Sequence, residues 1–218
     1  MRIKLPENQS EITLGQYQKY LKLIERLESN ELDLYTFNRR KIVLFTNILF
    51  KDTANIKQVD FESIINQIDI ALNEQANFVS RFKLNDVEFG FIPNMNNITS
   101  EEMKHLDALN SITQGEFIDA SDNANEVENL HKLMAVLFRP ITSKDSFGNY
   151  EIGIYTGTKK YCELMKEMPL SVVNGALFFF ASLATELREA IQKFTKEVQK
   201  KETSQATTLK SGVGTQQS

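Results

Sequence analysis

Apolar residues along this chain change their spacing several times, and each change marks an element. Downstream of Thr13, the residues Tyr17, Tyr20, Leu21, Ile24 and Leu27 recur at helical spacing and predict a first helix over about 14–29. Thr13-Leu-Gly-Gln16 has the spacing of a reciprocal cap, in which the threonine oxygen takes the N3 amide and the N3 side chain answers back. The same phrase returns as Thr113-Gln-Gly-Glu116. A glycine inside a first turn costs about 1 kcal/mol against alanine, so Gly15 asks for a packing reason. Neither phrase has the glycines or the Lys-Ser/Thr of a phosphate loop, and the residues after them diverge at once, which argues against duplication.

A second helix is predicted over 33–50 on the stripe Ile42, Leu44, Phe45, Ile48 and Leu49. A third starts after Asp60 and carries Phe61, Ile64, Ile65, Ile68 and Leu72. The period then drops to that of a strand. Asn85-Asp86 lies between two short apolar segments and predicts a hairpin near 82–92, which Pro93 ends for want of an amide. Thr99 and Thr113 are candidate caps in the loop-helix stretch that follows.

Glu126–Phe138 returns to helical spacing, with Val127, Leu130, Leu133, Met134, Leu137 and Phe138 on one face. The region 138–155 reads as a second hairpin or extended pair around the turn-rich "SKDSFGN". Thr156 or Thr158 is expected to cap a short helix holding Tyr161, Leu164 and Met165. Pro169 suits the first turn of a long final helix. That helix is apolar nearly all round from Val172 to Ala184, which means burial, and then amphipathic through Leu187, Ile191 and Phe194. From Lys200 the chain turns small and polar and is expected to be a flexible tail.

The fold class expected is mainly α with small β-hairpins (α+β). One helical domain spans 1–199, with hairpin insertions near 82–92 and 138–155, a long buried C-terminal helix and a disordered tail over 200–218.

Composition adds little chemistry. In 218 residues the charged fraction is 25%, the net charge −4 and the pI about 5.4, so no global basic field points to nucleic acid. Cys162 is the single cysteine, which suits a reducing compartment. The N-terminus lacks a signal peptide, and the longest apolar run, Gly175–Ala184, is about half of a membrane span. A soluble, cytoplasmic protein is therefore expected.

His105 and His131 are each isolated from any metal-type spacing, and Cys162 has no sequence-level partner for nucleophilic catalysis. Glu101-Glu102 follows the cap at Thr99 and reads as dipole-complementing; Arg39-Arg40-Lys41 reads as a solvated helix face. No catalytic, cofactor-binding or metal-binding residue is expected, and no cofactor. Phe178, Phe179 and Phe180 are consecutive, so on a helix they point about 100° apart and cannot share one face. With Gly175 leaving room for a second backbone, these four are the candidate partner-interface residues, on a helix either central to the domain or at an interface.

The stretches "FGFIPNMNNIT", "LHKLMAVLFRPIT" followed by "YEIGIYTG", and "YCELMKEMPLSVVNGALFFF" together resemble a family of tailed-bacteriophage proteins. That family is grouped with a baseplate-hub assembly protein of T-even phages, and its members are called tail assembly chaperones or baseplate proteins. The likeness covers roughly residues 80–190 and consists of hydrophobic framework and turns. The stretch "SEEMKHLDALNS" and the polar tail depart from the pattern. The resemblance implies a non-enzymatic role in tail, baseplate or neck assembly, in the host cytoplasm or the virion. The partners implied are other tail, neck or baseplate proteins, or copies of the chain in a ring, with no nucleic acid or membrane. The alternative it leaves is a permanent virion component, such as a neck or tail ring subunit or a packaged cargo protein.

Overall fold

In the computed structural model, which describes residues 3–94, 98–104 and 124–182, two helix starts share one piece of backbone pairing. The segment before α1 (Leu14–Glu28) forms an antiparallel bridge, Thr13 to Pro169, with the segment before α7 (170–182). Leu14 N–H donates to the Met168 carbonyl at 2.8 Å, and Leu170 N–H to the Ile12 carbonyl at 2.8 Å. Proline has no amide to contribute, and at this position none is needed. Pro169 therefore stands just ahead of α7, its carbonyl accepting from Val173 at 3.3 Å, rather than within the first turn.

The cap expected at Thr13 is present in both halves. Thr13 Oγ1 accepts from Gln16 N at 3.2 Å, and Gln16 Oε1 accepts from Thr13 N at 2.9 Å. Gln16 Nε2 then donates to the Leu44 carbonyl at 3.0 Å, tying α1 to the end of α2 (Leu34–Phe45). Gly15 has its packing reason as well. Its N–H donates to the Lys166 carbonyl at 2.7 Å, and a Cβ there would stand 3.0 Å from that same oxygen.

Asp33 caps α2, but the helix ends at Phe45 and not at 50. Thr46 Oγ1 donates back to the Ile42 carbonyl and accepts from Ile48 N, so the chain leaves the helix in extended conformation. Ile48 is still buried, while Leu49 and Phe50 are exposed. The basic run is also only partly a solvated face. Arg39 donates to Thr53 Oγ1 and to the Phe50 carbonyl, holding a 3-10 turn over Asp52–Asn55. Lys41 is buried against the Asp69 carboxylate of α3 (Gln58–Leu72), with its ammonium 5.6 Å from the Tyr20 ring centroid. Burial first, and then Asp69, pushes the Tyr20 phenol up to about 12.

The hairpin at Asn85-Asp86 forms between β1 (Arg81–Leu84) and β2 (Val87–Phe91), and both turn residues have positive φ, 46° and 62°. The second hairpin also forms, from β3 (Phe138–Lys144) and β4 (Tyr150–Ile152). The two hairpins are one object: β2 pairs with β3, giving a four-stranded antiparallel sheet in the order β1-β2-β3-β4. The β2–β3 connection includes α4 (100–104) and α5 (Ala124–Leu137). Phe138 belongs to the sheet and not to the helix before it, because it pairs with Phe91 directly after Leu137.

Phe82, Phe89, Phe91 and Phe138 pack ring against ring at 5.3–5.5 Å, and Phe89 meets Tyr161 at 5.7 Å. Leu130, Met134 and Leu137 of α5 and Met165 of α6 (Cys162–Met165) are buried as well. The short helix α6 starts after Tyr161, which makes no side-chain cap, so neither Thr156 nor Thr158 caps it. Gln9, only 2% exposed, ties the helices from below. Its amide donates to the Leu72 and Glu74 carbonyls at 2.9 and 2.7 Å, and its oxygen accepts from Asn174 at 3.0 Å.

The chain divides into two units at Phe178, and of the second only 179–182, in helical conformation, lie among the described residues. The expected amphipathic part of the last helix, the tail over 200–218, the second phrase at Thr113 and His105 lie outside them. Among the described residues no helix is long and apolar enough to cross a membrane.

Two substitutions test this packing. Gly175→Ala would drive a methyl into the Asn77 carbonyl, a backbone group that cannot step aside, and is expected to lower stability by about 1–3 kcal/mol in urea denaturation. Gln9→Ala strands two carbonyls and Asn174 and is expected to cost about 2–4 kcal/mol by the same measurement.

Candidate functional site

Among the described residues of the first unit, two places stand out for the side chains they bring together or present. The first is the cleft of about 630 Å³ where α1, α5 and α6 meet. His131 sits on α5 beside the core residues Leu130 and Met134 and is 7% exposed. Its Nδ1 lies 3.2 Å from Gln18 Nε2 across the α1–α5 contact, and its Nε2 lies 4.0 Å from Glu163 Oε1. Cys162 precedes Glu163 in α6, and its thiol donates to the Lys159 carbonyl at 3.7 Å. One donor atom from each of His131, Cys162 and Glu163 falls within 4.8 Å of the others. Lys19, Lys22, Lys132 and Lys166 line the same cleft, so its field is basic in a chain whose net charge is −4. Lys166, which grips both Glu163 oxygens at 2.8 and 3.0 Å, holds that carboxyl below the usual carboxylate range.

The start of α1 also borders the cleft, but it offers no anion cradle. The Leu14 and Gly15 amides are spent on the Met168 and Lys166 carbonyls, and Gln16 N on Thr13.

The second place is the tip of the β3–β4 hairpin. Asp145 Oδ1 accepts from the backbone amides of Phe147 and Asn149 at 2.9 and 2.8 Å, and Oδ2 accepts from Asn149 Nδ2 at 2.6 Å. Asp145 N closes the loop on the Asn149 carbonyl at 3.0 Å, and Gly148 takes the φ of +88° that the turn requires. The Asn149 side chain first, then these amides, hold the Asp145 carboxyl below its ordinary value. The loop so braced presents Phe147 at 90% exposure. A rigid turn that holds a phenylalanine in water does nothing for the core of this chain.

The residues singled out from sequence fall differently. Phe178 is 60% exposed; Phe179 and Phe180 are half-buried, with rings 5.8 Å apart in a T-shape. The helix is therefore not buried all round: Leu170, Val172, Val173, Gly175 and Ala176 are buried, whereas Ser171 and Asn174 are partly exposed and Phe178 is exposed. Gly175 is buried, and the backbone that comes close to it is this chain's own, at Asn77 and Phe78. The close backbone approach for which Gly175 leaves room is thus made within the first unit.

Glu102 also has a definite role. Its Oε2 accepts from Thr99 N at 2.7 Å and its amide donates to Thr99 Oγ1 at 3.2 Å, so the cap expected at Thr99 is made. Its Oε1 faces Arg139 Nη2 at 2.8 Å as an ion pair, although Oε1 and Arg139 Nε make no aligned hydrogen bond among the described residues. Burial pushes the Arg139 guanidinium below its ordinary pKa, and Glu102 opposes that shift. Sequence reading missed the His131–Cys162–Glu163 meeting because two of its members are neighbours and the third is remote, a spacing with no signature. An aromatic inside "SKDSFGN" was a visible signal for the hairpin tip.

Asp145→Ala is expected to leave the global melting temperature nearly unchanged while amide exchange at Phe147 and Asn149 speeds up by NMR. In the unaltered chain the same loosening appears as pH falls through the depressed folded pKa of Asp145, since its contribution is present only while the carboxylate is ionised.

Scans against protein-family models, curated proteins and solved structures return no match to this chain.

Proposed function

We propose that the chain is a non-enzymatic component of bacteriophage tail, baseplate or neck assembly that works through protein–protein contacts. The observation that carries this reading is Phe147, 90% exposed on a turn that Asp145 braces with five hydrogen bonds. A pre-ordered aromatic loses little conformational freedom when a partner takes it, and burying a phenylalanine is worth roughly 1.5–3 kcal/mol. Such side chains are the usual anchors of an interface. The stretches that resemble the phage family supply the strands behind this hairpin: Phe89–Phe91 in β2, Phe138–Thr142 in β3, and Tyr150–Ile152 in β4. Phe178, at the end of the first unit, offers a second exposed aromatic.

The test is affinity capture of a tagged chain from cells infected with the phage that encodes it. Tail, neck or baseplate proteins are expected in the captured material. Phe147→Ser is expected to fold as the parent does and to bind those proteins at least about tenfold more weakly. Mass spectrometry of purified particles then separates an assembly factor, which is missing, from a virion component, which is abundant. Normal particles from a phage lacking the gene, with no tail protein captured, would overturn the reading.

A further inference from the structure

The cleft lined by His131 and Glu163 has no part in that reading, yet together with the adjacent Cys162 these residues bring an imidazole, a thiol and a carboxylate within 4.8 Å of one another. We propose that these three residues form a binding site for a transition-metal dication of the zinc type, with water in the fourth position. The donor set selects the class of ion. Magnesium and calcium take oxygen ligands, whereas a thiolate beside an imidazole suits zinc or cobalt.

The geometry is close to what such an ion needs. Zinc holds sulfur at about 2.3 Å and nitrogen or oxygen at about 2.0–2.1 Å, so tetrahedral ligand atoms stand roughly 3.3–3.7 Å apart. His131 Nε2 and Glu163 Oε1, at 4.0 Å, are nearly there. Glu163 is 75% exposed at its side chain and has the rotamer freedom to close the rest, while His131 is buried and fixed. A metal on Nε2 leaves the ring proton on Nδ1. Gln18, 3.2 Å from Nδ1, then orients the ring by turning its carboxamide oxygen towards that proton, a flip that keeps the shape of the side chain.

Charge decides whether an ion can enter. Lys166 pairs with Glu163, and Lys19, Lys22 and Lys132 line the same cleft. A bare dication is repelled there, but one bound by a thiolate and a carboxylate forms a neutral centre. The metal replaces the Lys166 ammonium as counter-charge to Glu163. Cys162 exchanges its S–H bond, now directed at Lys159, for a sulfur–metal bond and releases the proton to solvent, with no change of oxidation state.

The experiment is a titration of the reduced protein with Co(II). Cys162 is the single cysteine, so any thiolate-to-cobalt charge-transfer band reports on this site alone. A band that saturates at one equivalent, yields to Zn(II) and ignores Mg(II) is expected. It should vanish in Cys162→Ser and weaken at least about tenfold in Glu163→Gln and in Gln18→Leu. Circular dichroism confirms that each variant is folded, and the exposed Glu163 position keeps the test usable if changes at His131 do not fold. Absence of the band in folded protein at excess Co(II), cobalt binding without it, or an undiminished band in Glu163→Gln would overturn the proposal. None of these outcomes depends on what the captured partners are.

Discussion

The antiparallel splice between residues 12–14 and 168–170 is the constraint on which the first unit depends. Two hydrogen bonds of 2.8 Å join segments at opposite ends of that unit and start α1 and α7 from one point. Bringing such distant segments together is opposed by loop-closure entropy. The side chains that flank the splice offset it: Ile12, Leu14, Met168 and Leu170 are all essentially inaccessible to water. Burying each is worth roughly 1.5–3 kcal/mol. Gly15 follows from the same contact, because the Lys166 backbone passes where its side chain would be.

The cleft is a consequence of that splice. Holding 166–168 against the start of α1 also holds α6 against α5, and so carries Cys162 and Glu163 up to His131. Among the described residues of the first unit, buried polar side chains also pair across elements. Gln18 meets His131, Lys41 meets Asp69, and Glu102 meets Arg139, each joining separate elements. A polar group without a partner would be costly in such surroundings, so these pairs favour one arrangement of the helices over others of equal hydrophobic burial.

On the other side, the sheet turns aromatic packing into rigidity. Gly90 leaves space for the Tyr150 ring, whose hydroxyl donates to the Phe91 and Ser80 carbonyls at 2.9 and 3.2 Å. Tyr150 thereby locks β4 across β2 and gives the outer hairpin a firm base. Lys144 pairs with Glu88 on the same sheet. Phe147 is exposed on a hydrogen-bonded turn at the end of this hairpin, and a pre-ordered exposed aromatic is what a partner protein can use.

What the sequence by itself determined was local. The reciprocal cap at Thr13, the cap at Thr99, the Asn85-Asp86 turn and the bodies of the three early helices are decided within a few residues by side chain–backbone hydrogen bonds, positive φ and apolar period, although α3 starts at Gln58, without a side-chain cap, and not after Asp60. The end of α2 at Phe45 was less legible, because a threonine bonding back to Ile42 competes with an apolar stripe that runs on. Tertiary structure alone decided that the two hairpins share a sheet, that Gly175 faces Asn77, and that His131 meets Cys162 and Glu163. The reason is physical: those contacts join segments far apart in the chain. Their identity depends on shape and on the pairing of buried polar groups, which no spacing along the sequence records.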